Sequence, residues 1–275
     1  RGPRQVDTYR LARNMVEAGS ALAVLGNHEF NAIAWHLPDP EGGGTSHFLR
    51  PRHGELGAKN RHQHSAFLGE VEGTPLHAEI IDWFLTLPLW LDLPGLRVVH
   101  ACWDAGLIEP LRALFPNGCI DEHFLQASAV PDSFACTVFD RLLRGTDMRL
   151  PQGQTMTSGD GLTRAFFRTK FWEDNPQTYG DIVFQPDALP EPVAQTPLSP
   201  VEKNQLLRYD VEQPLLFVGH YWRSGTPAPI RSNLACLDYS AVLYGKLVAY
   251  RLDQETRLDP NKFVWVDVER PEIPQ

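Results

Sequence analysis

The sequence predicts an α/β fold, because short apolar segments typical of buried strands alternate with segments that favour helices. Three of the apolar segments lead into an Asn or a His side chain. They are residues 21–25 ahead of Asn27, residues 96–99 ahead of His100, and residues 215–218 ahead of His220. Since open α/β sheets bind their ligands at the carboxyl ends of strands, we expect these three side chains to lie near one another.

The other elements follow from local patterns. The GNHE motif at residues 26–29 follows the first apolar segment, and residues 29–36 favour a helix whose amino-terminal dipole would attract an anion. The spacing of apolar residues predicts further helices at residues 7–18, 77–86, 108–115 and 133–144. The remaining predicted features are a strand within residues 163–172, an extended exposed loop at residues 187–200, and a hairpin that joins residues 234–238 to residues 246–250.

Composition bounds the architecture and excludes some functions. The 275 residues are enough for one domain spanning residues 1–275, with insertions near residues 38–76 and 105–210. An excess of Asp and Glu gives a formal charge of -9, which argues against a general nucleic-acid-binding surface. No apolar run is long enough to cross a bilayer, and four scattered cysteines without a C-x-x-C pair favour a cytoplasmic location.

The three strand-end side chains suggest a metal site. A single His after a strand is more often a hydrogen-bonded structural residue than a ligand. Asn27, His100 and His220 together favour a ligand set, because imidazole and carboxamide groups bind first-row divalent ions. These ligand types accept manganese, iron, zinc or cobalt, and we expect manganese first. His28, beside Asn27, offers an imidazole for acid–base chemistry at the same place.

Several motifs give the chain a resemblance to a known family. Besides GNHE at residues 26–29, the sequence carries VHA at residues 99–101, GH at residues 219–220, and an opening RGP at residues 1–3. In these motifs the chain resembles the calcineurin-like metallophosphoesterases, in the branch of the protein Ser/Thr phosphatases and bis(5'-nucleosyl)-tetraphosphatases. The resemblance implies a four-layer α/β/β/α sandwich of two mixed sheets, with helical and loop insertions.

The resemblance also implies roles for individual residues. Asn27, His100 and His220 would hold one of two divalent ions, and a water activated between the ions would attack phosphorus. His28 would act as the general acid, and Arg1 would grip the phosphate. The second ion needs a D-x-H pair and a bridging aspartate, and no D-x-H triplet occurs in the sequence. We therefore expect a chain truncated at its amino terminus, without its first strands, that binds metal weakly and turns over negligibly on its own.

Three further residues are candidates for substrate contacts. His64 lies in a basic, His-rich segment, Arg168 carries a guanidinium in a segment expected near the site, and Tyr221 directly follows His220. The alternatives are a solvated polar loop for His64 and ordinary salt bridges for Arg168. The expected substrate is a phosphorylated small molecule, a dinucleoside polyphosphate or a phosphoprotein, and no membrane partner is expected.

Two other classes of function remain open on the sequence alone. One is a phosphatase module that processes nucleic-acid ends, although the net charge of -9 speaks against it. The other is a binding or regulatory protein that keeps the fold without the chemistry, since fold alone does not fix function.

Overall fold

The computed structural model describes residues 2–39, 48–151, 153–157, 163–184 and 189–270. Within them the chain is mixed α/β. The α-helices are α1 (Gln5–Glu17), α2 (Asn27–His36), α3 (Gly54–Gln63), α4 (Ser65–Val71), α5 (Pro75–Leu85), α6 (Ala105–Leu114), α7 (Glu122–Ala127), α8 (Phe134–Arg144), α9 (Tyr179–Ile182), α10 (Glu191–Ala194) and α11 (Pro200–Gln205). The strands are β1 (Trp90–Leu93), β2 (Leu96–Val99), β3 (Thr146–Arg149), β4 (Met156–Thr157), β5 (Thr163–Arg164), β6 (Phe166–Thr169), β7 (Leu215–Val218), β8 (Leu234–Cys236), β9 (Asp238–Tyr239), β10 (Lys246–Tyr250) and β11 (Phe263–Asp267).

A four-stranded mixed sheet in the order β1-β2-β7-β8 carries the strand ends of interest. β1 and β2 form an antiparallel hairpin, whereas β7 is parallel to both β2 and β8. A second sheet, in the order β11-β10-β9, is antiparallel. Because β2 and β7 run in the same direction, the residues that follow them emerge at the same edge.

The central strand β7 shows how the two faces of the first sheet are used. Leu216 and Val218 belong to the main core, together with residues of α2, α6 and α8. Leu215 and Phe217 point to the other face and pack with residues of the second sheet. This alternation follows from the two-residue period of a strand. Burial of each such side chain contributes about 1.5–3 kcal/mol and fixes the register of β7.

The helix α2 is held against the sheet by its apolar face. Ile33 is fully buried, and the ring of Phe30 stacks on that of Phe139 in α8 at a centroid distance of 4.2 Å. Gly26 precedes the helix in an extended conformation, with φ -104° and ψ 171°. This packing places the first turn of α2, with Asn27 and His28, at the carboxyl edge of the first sheet.

The predicted helices are confirmed within a few residues of their expected ends, but the first predicted strand is wrong. Residues 21–25 form no strand, and two hydrogen bonds involve their described backbone: the Ala21 N–H donates to the Met15 carbonyl over 3.1 Å and the Leu25 N–H donates to the Pro88 carbonyl over 2.8 Å. An apolar extended segment becomes a strand only where a neighbour supplies a ladder of hydrogen bonds.

Two predictions near the carboxyl end need correction. The hairpin begins at β9, which pairs with β10, whereas β8 joins the first sheet alongside β7. The predicted exposed loop at residues 187–200 contains α10, and Leu189, Val193 and Leu198 are buried in a core cluster of their own; residues 187 and 188 lie outside the described residues. Both errors have one cause, because tertiary packing decided between segments whose local patterns were ambiguous.

The structure also bears on the cysteines and on the question of a membrane span. Cys102 and Cys236 are buried as small apolar residues, in agreement with the prediction. Among the described helices there is no apolar segment of the length needed to traverse a lipid bilayer.

Candidate metal centre

The structure brings together the three residues that the strand ends single out. The Asn27 Oδ1 atom lies 2.8 Å from the His100 Nε2 atom. The imidazole rings of His100 and His220 are 5.5 Å apart between centroids, at an angle of 63°. Asn27, His100 and His220, here called the strand-end cluster, are contributed by three segments that are distant in the sequence.

Two glycines allow this close approach. A Cβ atom on Gly26 would lie 2.4 Å from the Glu29 Oε2 atom and 3.2 Å from the His100 Nδ1 atom. The Gly219 N–H donates to the His100 carbonyl over 2.9 Å, which joins the ends of β2 and β7 directly. The glycine of the GNHE motif therefore gives room first to the Glu29 carboxylate and then to the His100 ring, and its backbone conformation alone would not require it.

The backbone at His220 is unusual. His220 has φ 59°, a value that few residues other than glycine adopt. The Tyr221 N–H donates to the Gly219 carbonyl over 2.5 Å, so that His220 is the central residue of a three-residue γ-turn. A γ-turn with positive φ is the rare and strained form, and such strain costs about 1–3 kcal/mol. The chain therefore adopts a backbone conformation of higher free energy at the residue that carries this imidazole.

Both imidazoles of the cluster are held in the neutral state. Desolvation lowers the pKa of His100 to about 4. The pKa of His220 is lowered to about 2, first by desolvation and then by the positive charge of Arg168 and by the neighbouring His100 and His28. A neutral imidazole keeps a nitrogen lone pair, which is the form that binds metal ions.

One nitrogen of the cluster lacks a partner. The Nε2 atom of His220 is buried, and no hydrogen bond reaches it from the described residues. A hydrogen bond with the Arg144 carbonyl contributes to the pKa of His220. The unpartnered nitrogen belongs to the ring that lies 5.5 Å from that of His100. A buried polar atom without a partner costs free energy, and a ligand or an ordered water that reached Nε2 would remove that cost.

The spacing of the cluster fits a divalent ion. Two ligands at bond lengths of about 2.1 Å and a right angle stand about 3 Å apart, close to the distance between Asn27 Oδ1 and His100 Nε2. The hydrogen bond between these atoms would then be replaced by two bonds to the ion. Within the part of the chain that the structure describes, no three His, Cys, Asp or Glu side chains converge, so the candidate set is two imidazoles and a carboxamide.

His28 borders a cavity beside the cluster. The cavity has a volume of about 310 Å³, and its wall includes His28, Glu29, His62 and His64. The rings of His28 and His64 meet edge to face, with centroids 6.3 Å apart. His64 is buried, so the alternative of a solvated loop does not describe it. Burial raises the pKa of the Glu29 carboxyl, which lies at the start of α2.

Arg168 lies near His220 of the cluster. It lies on β6 opposite Asp147 on β3, and its guanidinium lies 5.9 Å from the centre of the Phe184 ring. It is close enough to His220 to lower the pKa of that imidazole. In the described part of the chain its guanidinium has no hydrogen bond or ion pair within bonding distance, which leaves it available to an anion.

Two other predicted site residues fare differently. Tyr221 is fully buried, and its hydroxyl accepts a hydrogen bond from the Thr146 N–H over 2.9 Å. A direct contact between Tyr221 and a substrate is therefore wrong as predicted, because neither ring nor hydroxyl reaches the solvent. Arg1 lies outside the described residues.

Sequence reasoning missed the residues behind His220. Gly145, which follows α8, and Thr146, the first residue of β3, contact the Tyr221 hydroxyl. A glycine directly after a helix is commonplace, so its position gave no signal of this role.

A larger cleft lies between residues 170–184 and residues 222–231, and is here called the 170–231 cleft. Its volume is about 1230 Å³. Its wall includes Trp222, which is 37% exposed and meets Phe184 edge to face at 6.4 Å. The cleft therefore begins two residues beyond His220.

A comparison of the chain with protein-family models returns no match, and a comparison with curated proteins returns none either.

Proposed function

We propose that this protein is a metal-dependent phosphoester hydrolase that uses two divalent ions, with manganese as the preferred metal and iron, zinc or cobalt as alternatives. The two packed sheets and their flanking helices would form the centre of a four-layer α/β/β/α sandwich. The strand-end cluster would hold one of the ions through Asn27, His100 and His220.

A single observation carries this proposal. A carboxamide oxygen, a neutral imidazole and a second neutral imidazole with an unpartnered nitrogen meet at one sheet edge. Apolar packing does not explain this arrangement, because buried polar atoms are normally paired within the protein. A divalent ion would satisfy all three groups at once, and the ligand types suit a first-row metal.

The residues around the cluster suggest a division of labour. Bound ions would supply an activated water and would neutralise charge on the phosphoryl oxygens. Arg168 would bind those oxygens, since its guanidinium is unpaired within the described residues and a planar fork suits two oxygens. His28, at the first turn of α2, would give its proton to the leaving oxygen. His64 would help to shape the cavity in which His28 lies.

The substrate proposed is a phosphorylated compound of low molecular mass, a dinucleoside polyphosphate or a phosphoprotein. These share a phosphate ester or anhydride, which is the group that the cluster and Arg168 would engage. We place the protein in the cytoplasm as part of the same proposal.

The test compares wild type with His28→Asn. With Mn²⁺ and a phosphomonoester, we expect the substitution to lower kcat by a factor of about 10²–10⁴, because it removes a proton donor. Affinity for Mn²⁺, measured by calorimetry, should stay within twofold. Phosphate release that is equally fast in the presence of a chelator would refute the proposal.

A further inference from the structure

Tyr221 is the residue that follows the strained γ-turn at His220. Its side chain is fully buried, and its ring meets those of Phe171, Trp172 and Phe184 at centroid distances of 5.5, 5.2 and 5.0 Å. All three contacts are edge to face. An aromatic ring held on three sides cannot turn without disturbing its neighbours, so the backbone at residue 221 is fixed by packing.

The hydroxyl of Tyr221 is fixed as well. It accepts the Thr146 N–H over 2.9 Å and lies 3.2 Å from the Thr146 Oγ1 atom. That Oγ1 atom donates to the Thr169 carbonyl over 2.9 Å, so the Tyr221 hydroxyl is the donor in the 3.2 Å contact. Each proton of this buried group therefore has one acceptor. The network is complete, and a complete buried network specifies one geometry.

Gly145 supplies the space for this hydroxyl. Its φ is 87°, and a Cβ atom at that position would lie 2.2 Å from the Tyr221 Oη atom. Any other residue would meet both a backbone penalty and a collision. The glycine is thus adapted to the tyrosine, although 76 residues separate them.

The same stretch of chain also lies near the imidazole. The Arg144 carbonyl is close enough to the His220 ring to act on its pKa. Gly145 and Thr146, the next two residues, contact the Tyr221 hydroxyl. One three-residue segment therefore lies near the His220 ring and anchors the residue that follows its strained turn.

We propose that Tyr221, seated on Gly145 and Thr146, is a positioning residue that keeps the His220 imidazole, with its unpartnered Nε2 atom, in place beside His100. The metal that this nitrogen would bind rests on the proposed function, but the positioning does not. Partners that orient a ligand commonly change metal affinity by a factor of 10–100 when removed.

The experiment compares wild type with Tyr221→Phe and with a matched control, Tyr239→Phe. Tyr239 is also buried, and its hydroxyl accepts a backbone N–H, from Ala228 over 3.2 Å. Two quantities are measured: the ¹⁵N shifts of the His220 imidazole in metal-free protein, and the Kd for Mn²⁺. We expect Tyr221→Phe to change the His220 shifts from those of one tautomer to an averaged value, and to raise the Kd about 10-fold. Tyr239→Phe should change neither.

A second substitution tests whether Gly145 and Tyr221 act together. Gly145→Ala should disrupt the His220 shifts more than Tyr221→Phe does, because it adds the collision. The double variant Gly145→Ala/Tyr221→Phe should be milder than the sum of the two, since removal of the hydroxyl takes away the shortest contact of the methyl group, at 2.2 Å, and leaves those with Cζ at 2.7 Å and Cε2 at 2.9 Å. Strict additivity would show that the two residues act separately and would overturn the proposal.

The outcomes separate this inference from the proposed function. If wild type binds no Mn²⁺ but Tyr221→Phe still disturbs the His220 shifts, the positioning role of Tyr221 is supported and the proposed metal site is refuted. If Tyr221→Phe leaves the His220 shifts as in wild type, the positioning role is refuted whether or not metal binds.

Discussion

The 170–231 cleft begins two residues beyond His220 of the strand-end cluster, and the two regions treat polar groups in opposite ways. In the cleft, Arg231 donates to the Trp172 and Tyr209 carbonyls and pairs with Asp174 at 2.7 Å. In the cluster, the His220 Nε2 atom is buried without a partner among the described residues. The cleft encloses much the larger volume. Of the two regions, however, the cluster is the one with a buried nitrogen that no described residue bonds.

This difference shows that volume is a poor guide to the site. The cleft's charges stabilise the chain that surrounds them, because each hydrogen bond within a protein contributes about 0.5–1.5 kcal/mol. The cluster lowers stability through a strained turn and two imidazoles kept from water. Natural proteins accept such costs at functional sites, so the less stable of the two regions is the better candidate for chemistry.

The largest predicted effect is a loss of stability in acid, which the two buried imidazoles of the cluster would cause. In metal-free folded protein the pKa of His100 is lowered to about 4 and that of His220 to about 2, whereas unfolded histidine titrates near 6.5. Below pH 6.5 the unfolded chain therefore binds protons that the folded chain does not. Above pH 6.5 protonation of these two histidines does not lower the free energy of unfolding. Below pH 6.5 the free energy of unfolding falls by up to about 1.4 kcal/mol per pH unit for each histidine.

Urea unfolding of wild type and His220→Asn, in chelator, measures this effect. Between pH 6.5 and 4 the wild type should lose up to about 3 kcal/mol more than the variant, since only wild type carries the second depressed group. The raised pKa of Glu29 acts in the opposite direction, but it is present in both proteins and cancels. Parallel curves would mean that His220 is not held neutral by the fold.

Metal affinity should respond next, and by a smaller free energy. We expect His220→Asn to raise the Kd for Mn²⁺ at least 100-fold, about 2.7 kcal/mol, because the shorter side chain withdraws one ligand. Asparagine tolerates the positive φ at this position, so the γ-turn should survive. The matched control is His123→Asn, which changes an exposed histidine on α7. Equal affinities in all three proteins would remove His220 from the ligand set.

The sequence predicted the cluster better than it predicted the fold around it. Periodicity located α2 and α8, and the apolar runs before His100 and His220 located β2 and β7. Parallel strands of one sheet share an edge, so the meeting of His100 and His220 followed from local pattern and one rule. Asn27 joins them from the first turn of α2, although the strand predicted before it is absent. The metal and the reaction remain predictions.

What the sequence left out depends on contacts between distant residues. The apolar run at residues 21–25 looks like a strand, but a strand exists only with its neighbours. Tyr221 looks like a site residue because it follows His220, yet Thr146 and three aromatic rings bury it. Local composition does not predict either outcome, because both depend on which parts of the chain pack together.

The smallest predicted effect tests the other half of the comparison. Arg231→Met should lower the free energy of unfolding by about 2 kcal/mol, because the Trp172 and Tyr209 carbonyls lose their donor in a side chain only 12% exposed. Arg223→Met is the control, since Arg223 lines the same cleft without a side-chain hydrogen bond or ion pair to any described residue. It should change stability by less than about 0.5 kcal/mol. Urea unfolding with calorimetry should show that Arg231→Met loses stability while its Kd for Mn²⁺ stays as in wild type. A loss of metal affinity as large as that of His220→Asn would show that cleft and cluster form one site, and the contrast between them would then fail.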